Sequence, residues 1–310
     1  MTDQSADSDQ LPRREVARQL RLVTRASLAV ALILILAKTA AWGLTGAVSL
    51  LATLVDSCLD ALASLVNLLA VRHALSPADR EHRFGHGKAE ALSGLGQSLL
   101  IVGSGLFLLY ESAARLQEPV APTFPAIGIA VMLLSIALTL VLVSFQRRVV
   151  RRTGSTAVRA DALHYRADLL VNVAVIAALL LAHRGWPGFD ALAAIGIALY
   201  ILFSAWQIVR QSLNHLMDRE LPDAQREKIV RIVDAHPDVM GMHELRSRRS
   251  GTDMFIQLHL ELDDNLTLVE AHRISDEVES ALRAELPRAE ILIHTDPSCV
   301  VAAELDRQRR

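Results

Sequence analysis

The sequence predicts an α-helical membrane protein, with six transmembrane helices followed by a small cytoplasmic α+β domain. Three observations carry this. Of the 310 residues, 52% are hydrophobic and 21% charged, and the apolar residues are clustered rather than spread. Several windows of about 20 residues are almost free of charge, the length a helix needs to cross ~30 Å of hydrocarbon. The residues after 212 lose that character, which separates a membrane domain from a soluble one.

The six windows are 26–45, 48–71, 91–113, 124–145, 162–182 and 189–210. Their orientation follows from the basic residues. Arg13, Arg14, Arg18, Arg21 and Arg25 precede the first window. Arg72, Arg80, Arg83 and Lys88 follow the second, and Arg147, Arg148, Arg151, Arg152 and Arg159 follow the fourth. The opposite loops hold only Arg115 and Arg184. Positive residues stay in the cytoplasm, so both termini are placed there and the helix count is even. The first apolar run is too long for a cleavable signal peptide and lacks a small-residue cleavage pattern, so it reads as a retained helix. Residues 1–11 are polar and read as disordered. The boundaries are set at 1–20 for a cytoplasmic N-terminal segment, 21–212 for the transmembrane domain and 213–310 for the cytoplasmic domain.

The tail reads as α-β-β-α-β, a metallochaperone-like order. "LPDAQREKIVRIVDAH" has Pro222 near its start, a fitting first-turn residue, and Ile229, Ile232 and Val233 at helical spacing. "MHELRSRRS" and "FIQLHLELD" alternate apolar and polar residues, as half-buried strands do. "LTLVEAHRISDEVESALRAEL" is an amphipathic helix ended by Pro287, and "EILIHTD" is a third strand. Residues 213–310 hold 13 Lys/Arg against 20 Asp/Glu. Nucleic acid calls for a basic face and is excluded as a partner; an acidic surface suits cations. The two cysteines, Cys58 and Cys299, form neither a disulfide framework nor a CxxC zinc motif.

Two carboxylates interrupt the second window. Asp56 and Asp60 are four apart and share one helix face. A charge at mid-bilayer costs ~2.5–3.5 kcal/mol on insertion scales, and two would repel each other unless a cation sits between them. The fifth window supplies His164 and Asp168, again four apart. With the two faces packed together, three carboxylates and one imidazole converge, a donor set that suits Zn²⁺. Fe²⁺, Mn²⁺ and Co²⁺ fit it as well. Cys58 falls nearly opposite. The plainer reading pairs the acids with a buried base such as Lys38, or places them at a watery crevice. Asp161, near the cytoplasmic mouth, reads as an entrance charge or helix cap.

Two further groups contain histidine. Asp79, His82 and His86 follow a D-x₂-H-x₃-H spacing in a Gly-rich loop, which suits a metal with water in fourth place or a solvated polar loop. In the tail, His294 and Asp296 share a strand face, and His259 points outward between Leu258 and Leu260. Read from spacing alone, His243, His259, His272 and His294 are ordinary surface residues. His73, His183, His215 and His236 match no pattern and are read as interfacial or surface residues.

From about Arg21 to Val301 the chain resembles the cation diffusion facilitators. The stretches "SLLATLVDSCLDALASLVNLLAVR", "PADREHRFGHGKAEAL", "SFQRRVVRRTGSTAVRADALHYRADLLVN", "DRELPD", "FIQLHLELDD" and "IHTDPSCVV" carry the likeness. The DxxxD and HxxxD pairs are specific in combination. The resemblance implies that Asp56, Asp60, His164 and Asp168 form a transport site, and that Asp79, His82 and His86 form a loop metal site. It implies a two-metal cytoplasmic site of His243, His259, His272, His294 and Asp296, with Asp296 as bridge. It also implies a charge interlock between Lys88 and Asp218 at a homodimer seam. The expected activity is export of divalent metal ions across the inner (plasma) membrane in exchange for protons. Zinc is the expected substrate and regulatory ligand, with Fe²⁺, Cd²⁺, Co²⁺ and Mn²⁺ behind it. Enzymatic activity is not expected. A passive divalent-cation channel and an intramembrane aspartyl protease, which also uses two Asp on two helices, are the competing classes; the protease's GxGD signature is missing here.

Overall fold

The computed structural model describes residues 11–46, 48–117, 126–182 and 189–301. The expectations for residues 1–10, for His183 and for Arg184 lie outside them. The chain divides into two compact units, residues 17–213 and the described residues of 1–16 and 214–310.

The first unit is built of long helices: α1 Arg13–Thr45, α2 Val48–Ala74, α3 Lys88–Gln117, α4 Ala126–Thr153, α5 Thr156–Ala182 and α6 Phe189–Leu216. Five of them, α1, α2, α3, α4 and α6, are long and apolar enough to cross a membrane by length and composition. Helix α5 is as long, but its first half carries Arg159, Asp161, His164, Arg166 and Asp168, and that charge has to be held by its neighbours. It packs against α2, α3 and α4, and Ala160, Leu163 and Ala167 share a core with Ile101 of α3 and Ile201, Ala205 and Ile208 of α6. Small residues allow the close approach, as is usual where apolar helices meet in lipid. A Cβ on Gly94 would lie 3.1 Å from Ser212 Oγ and Thr156 Cγ2, and one on Gly105 3.0 Å from Leu202 Cδ2. The helices outrun the apolar windows, most clearly at α4, whose last turns carry Arg147, Arg148, Arg151 and Arg152. Charge ends a membrane window without ending a helix.

The second unit has the expected order: α7 Asp223–Asp234, β1 Gly241–Ser250, β2 Asp253–Leu262, α8 Leu268–Glu285 and β3 Ala289–Pro297. Pro222 stands at the N-cap of α7 rather than inside its first turn. The sheet order is β1-β2-β3, with β1 antiparallel and β3 parallel to β2. Ile256, Leu258, Leu260 and Leu262 point to one face and are buried with Ile229 and Val233 of α7 and Ile274, Val278 and Leu282 of α8. Residues between them point to the other face, as the period of 2 requires.

Helix α8 opens with a capping box. Thr267 Oγ1 accepts from the Glu270 amide at 3.3 Å, and Glu270 Oε2 accepts from the Thr267 amide at 2.8 Å. Thr267→Ala is expected to cost about 1 kcal/mol of this unit's stability, read from its denaturant midpoint. The Thr267 amide, then the Thr267 hydroxyl, hold the Glu270 carboxyl below its usual value. The stabilisation Glu270 supplies is therefore present at neutral pH and lost as pH falls through that lowered value.

Candidate metal centres

Within the apolar helices, α2 and α5 bring three chemically competent side chains together. Asp60 Oδ1 lies 2.7 Å from His164 Nε2, and Asp168 Oδ2 lies 3.9 Å from the same nitrogen. Ligand atoms of Asp60, His164 and Asp168 all fall within 4.8 Å of one another. The i,i+4 spacing on α5 puts His164 and Asp168 on one face, opposite Asp60. Asp56 is not in this close group. It sits one turn earlier on α2, with an exposed side chain. The expected four-way convergence is three-way in this conformation, because a shared helix face does not fix a shared axial level. Lys38 donates to Ser57 Oγ at 2.6 Å and to the Thr53 carbonyl at 3.0 Å. Cys58 is exposed.

Asp161 is neither an entrance charge nor a cap. It is 1% exposed, and its Oδ2 accepts from Ser27 Oγ at 2.7 Å and Gln146 Nε2 at 2.8 Å. Tyr165 OH donates to the Ser27 carbonyl at 3.1 Å and sits 2.9 Å from Ser64 Oγ. These bonds tie α1, α2 and α4 to α5 next to the triad. Sequence reading missed Ser27, Ser64, Gln146 and Tyr165, since polar residues scattered singly along apolar helices give no periodic signal.

The loop between α2 and α3 forms a second group. Asp79 Oδ1 accepts from the amides of Glu81 at 2.9 Å and His82 at 2.6 Å. These bonds, the His82 amide first, hold its carboxyl below the usual range. Asp79 Oδ2 faces His86 Nε2 at 3.2 Å, and His82 Nδ1 lies 3.4 Å from Asp79 Oδ1. Gly85, at φ 75, supplies the left-handed turn that returns His86 toward His82. Ligand atoms of Asp79, His82 and His86 lie within 4.8 Å of one another.

In the second unit, strand register produces the third group. His243 pairs with His259 across β1 and β2, and His259 with His294 across β2 and β3. One row across the sheet therefore carries three imidazoles. Asp296, two residues beyond His294, faces all three: His259 Nδ1 at 2.8 Å and His243 Nε2 at 3.4 Å from Oδ2, and His294 Nε2 at 3.1 Å from Oδ1. His272 is not brought in. It stands on α8 with its side chain 75% exposed, beside Asp276 at 3.6 Å. Glu261 escaped the sequence reading, yet Glu261 Oε1 meets His243 Nδ1 at 3.0 Å. The signal was available: Glu261 follows His259 by two, on the same strand face. Gly241 leaves it room, since a Cβ there would come within 3.0 Å of Glu261 Oε2.

Of the expected interlock pair, Lys88 opens α3, while Asp218 belongs to the other unit and accepts from Arg248 Nη1 at 3.1 Å. His236, read as a surface residue, lies 3.0 Å from Glu277.

Both units have counterparts among known proteins. Residues 24–217 match the cation efflux transmembrane domain family, and residues 221–298 match the cytoplasmic domain of cation efflux proteins. The chain is 50% identical over 290 residues to "Cation-efflux pump FieF" of Salmonella arizonae, covering 93% of this chain and 97% of that one. The protein of the same name from Salmonella choleraesuis is 50% identical over 287 residues, covering 92% and 96%. Among solved structures, the chain described as "Mode of Action of a Putative Zinc Transporter CzrB" is 32% identical, covering 25% of this chain and 96% of that chain, with a TM-score of 0.24. The two domain models and the relatives thus match nearly the whole length, and the chain belongs to the cation efflux family, the cation diffusion facilitators, as a multi-pass membrane transporter of divalent metal cations.

Proposed function

We propose that the chain moves Zn²⁺ out of the cytoplasm in exchange for protons, using Asp56, Asp60, His164 and Asp168 as the transport site. The observation that carries this is the meeting of Asp60, His164 and Asp168 between two apolar helices. Carboxylate and imidazole ligands bind metal only when deprotonated, so metal and protons compete for the same atoms. His164 is the natural exchanger, since its ring nitrogen holds either a proton or the ion. A site that opens alternately to each side then trades one cargo for the other as helices rock. Asp56, one turn along α2, is positioned to complete the ligand set when the helices shift, and the Asp161 network anchors α5 during that movement. Fe²⁺, Cd²⁺, Co²⁺ and Mn²⁺ suit the same donors.

The rest of the reading follows. The division at 1–20, 21–212 and 213–310 separates the transport domain from an acidic cytoplasmic domain that binds metal through His243, His259, His294 and Asp296 and dimerises. His272, being exposed, joins from a second copy. Lys88 and Asp218 serve the dimer seam, Asp79, His82 and His86 hold a regulatory ion, and the protein sits in the inner membrane with both termini cytoplasmic. The test is zinc flux in reconstituted vesicles. Flux against a zinc gradient is expected when a proton gradient opposes it, together with proton counterflow. Flux that runs only downhill and ignores pH would replace the exchanger by a channel.

A further inference from the structure

We propose that His73 is a fourth ligand of the loop metal site, closing it as three imidazoles and one carboxylate. This rests on the reading of Asp79, His82 and His86 as a metal site and adds a residue to it. His73 belongs to no motif and lies on the last turn of α2, six residues before Asp79. The helix stops there, with the Ser76 amide donating to the His73 carbonyl at 2.9 Å, and the loop folds back. Its return is fixed by the Asp79 carboxylate on two amides and by the Gly85 amide donating to the His82 carbonyl at 3.0 Å. The fold therefore delivers His86 against the end of α2.

His86 contacts a second ring on each of two sides. The His73 and His86 centroids are 4.5 Å apart at 60°, and those of His86 and His82 are 4.7 Å apart at 47°. Two imidazoles on one tetrahedral zinc, with Zn–N near 2.0–2.1 Å, hold their ring centres about 5 Å apart. Both separations are of that size, and Asp79 touches two of the three rings. His86, which both other rings touch, has a side chain only 7% exposed, yet its Nδ1 is buried without a hydrogen-bond partner. A buried polar atom left unpaired costs ~1–3 kcal/mol, so this ring is held in a pocket that its protein neighbours do not satisfy. A bound cation satisfies imidazoles gathered in this way. His73 is not among the three residues whose ligand atoms are mutually close, but its side chain is exposed at a helix end. Rotation about its own side-chain bonds, fast for an exposed residue, needs no backbone movement. The consequence is a site with no open position, which holds its ion more tightly than three ligands and a water would. Its ion would fasten the loop to α2, the helix that carries Asp60.

The test uses the full-length protein in detergent, with the other centres silenced by Asp60→Ala, Asp168→Ala and Asp296→Ala, and loaded with Zn²⁺. X-ray absorption at the zinc edge should count three imidazoles. In His73→Gln it should count two, with zinc affinity, measured against a chromophoric chelator, falling at least about tenfold. His73 is exposed, so this variant leaves the fold intact. Two imidazoles in both proteins with unchanged affinity would overturn the fourth ligand while leaving the three-residue site standing. Zinc binding that is also insensitive to His82→Ala would remove the loop site altogether.

Discussion

Asp60→Ala is expected to reduce proton-driven zinc transport to the background of empty vesicles, a loss of at least ~100-fold. Asp60 makes the shortest contact of the intramembrane cluster, 2.7 Å to His164, with its side chain 14% exposed. It is the residue through which α2 meets the His164–Asp168 pair of α5. Removing it takes away the partner of His164 and, in the transport site proposed above, a ligand to the ion. One contact to a charged group worth about 3 kcal/mol corresponds to a factor of ~100 in binding, and a second carboxylate cannot be recruited at that height without moving α2. Asp56→Ala separates two arrangements. A loss equal to that of Asp60→Ala makes Asp56 a ligand during the cycle, whereas a mild loss leaves it outside the ligand set, as in this conformation. Cys58→Ala, on the exposed side of α2, should leave flux within about twofold of the parent. The measurement is initial zinc flux at a fixed pH gradient, with size-exclusion profiles confirming folded protein. Gradient-driven flux by Asp60→Ala within threefold of the parent would remove the site from this cluster.

The membrane helices were legible as long, nearly charge-free windows and the tail elements as periodic apolar patterns, and so were the paired residues within one helix. What local periodicity cannot carry is the relation between elements. It places Asp56 and Asp60 on one face of α2 but not their heights relative to His164, which is why one of the four stands apart. Asp161 looked like a cap because it lies near the helix start, whereas packing of α1 and α4 buries it against Ser27 and Gln146. In the tail, each histidine alone resembles a surface residue. Only the register of β1 on β2 and β2 on β3 puts His243, His259 and His294 in one row, and register is a property of the folded sheet. The resemblance to a known family supplied that grouping before the structure did, but not Glu261.

Asp296→Ala is expected to abolish zinc-dependent stabilisation of the cytoplasmic domain while leaving the metal-free fold unchanged. Asp296 is the hub of the histidine row, touching His243 and His259 through one oxygen and His294 through the other. A carboxylate so placed can hold two ions at once, one on each oxygen, and neutralises part of the repulsion between them. Without it the row keeps a carboxylate only at His243, through Glu261, and a fall in zinc affinity of at least ~100-fold follows from losing a charged contact to each ion. The side chain is absent from the apolar core, which lies on the opposite sheet face under α7 and α8, so folding does not depend on it. Metal that binds only the folded state stabilises it by RT ln(1 + [L]/Kd), about 2.7 kcal/mol at a hundredfold excess over Kd. The parent should therefore melt higher in zinc than in chelator, and Asp296→Ala should melt alike in both, at the parent's chelator value. His272→Ala adds the decisive comparison. Its side chain stands 75% exposed beside Asp276, so if it joins the row from a second copy, its loss should weaken the zinc response in proportion to dimerisation and be felt least at low protein concentration. An undiminished zinc response in Asp296→Ala would mean that the histidine row is a product of sheet register and not a metal site.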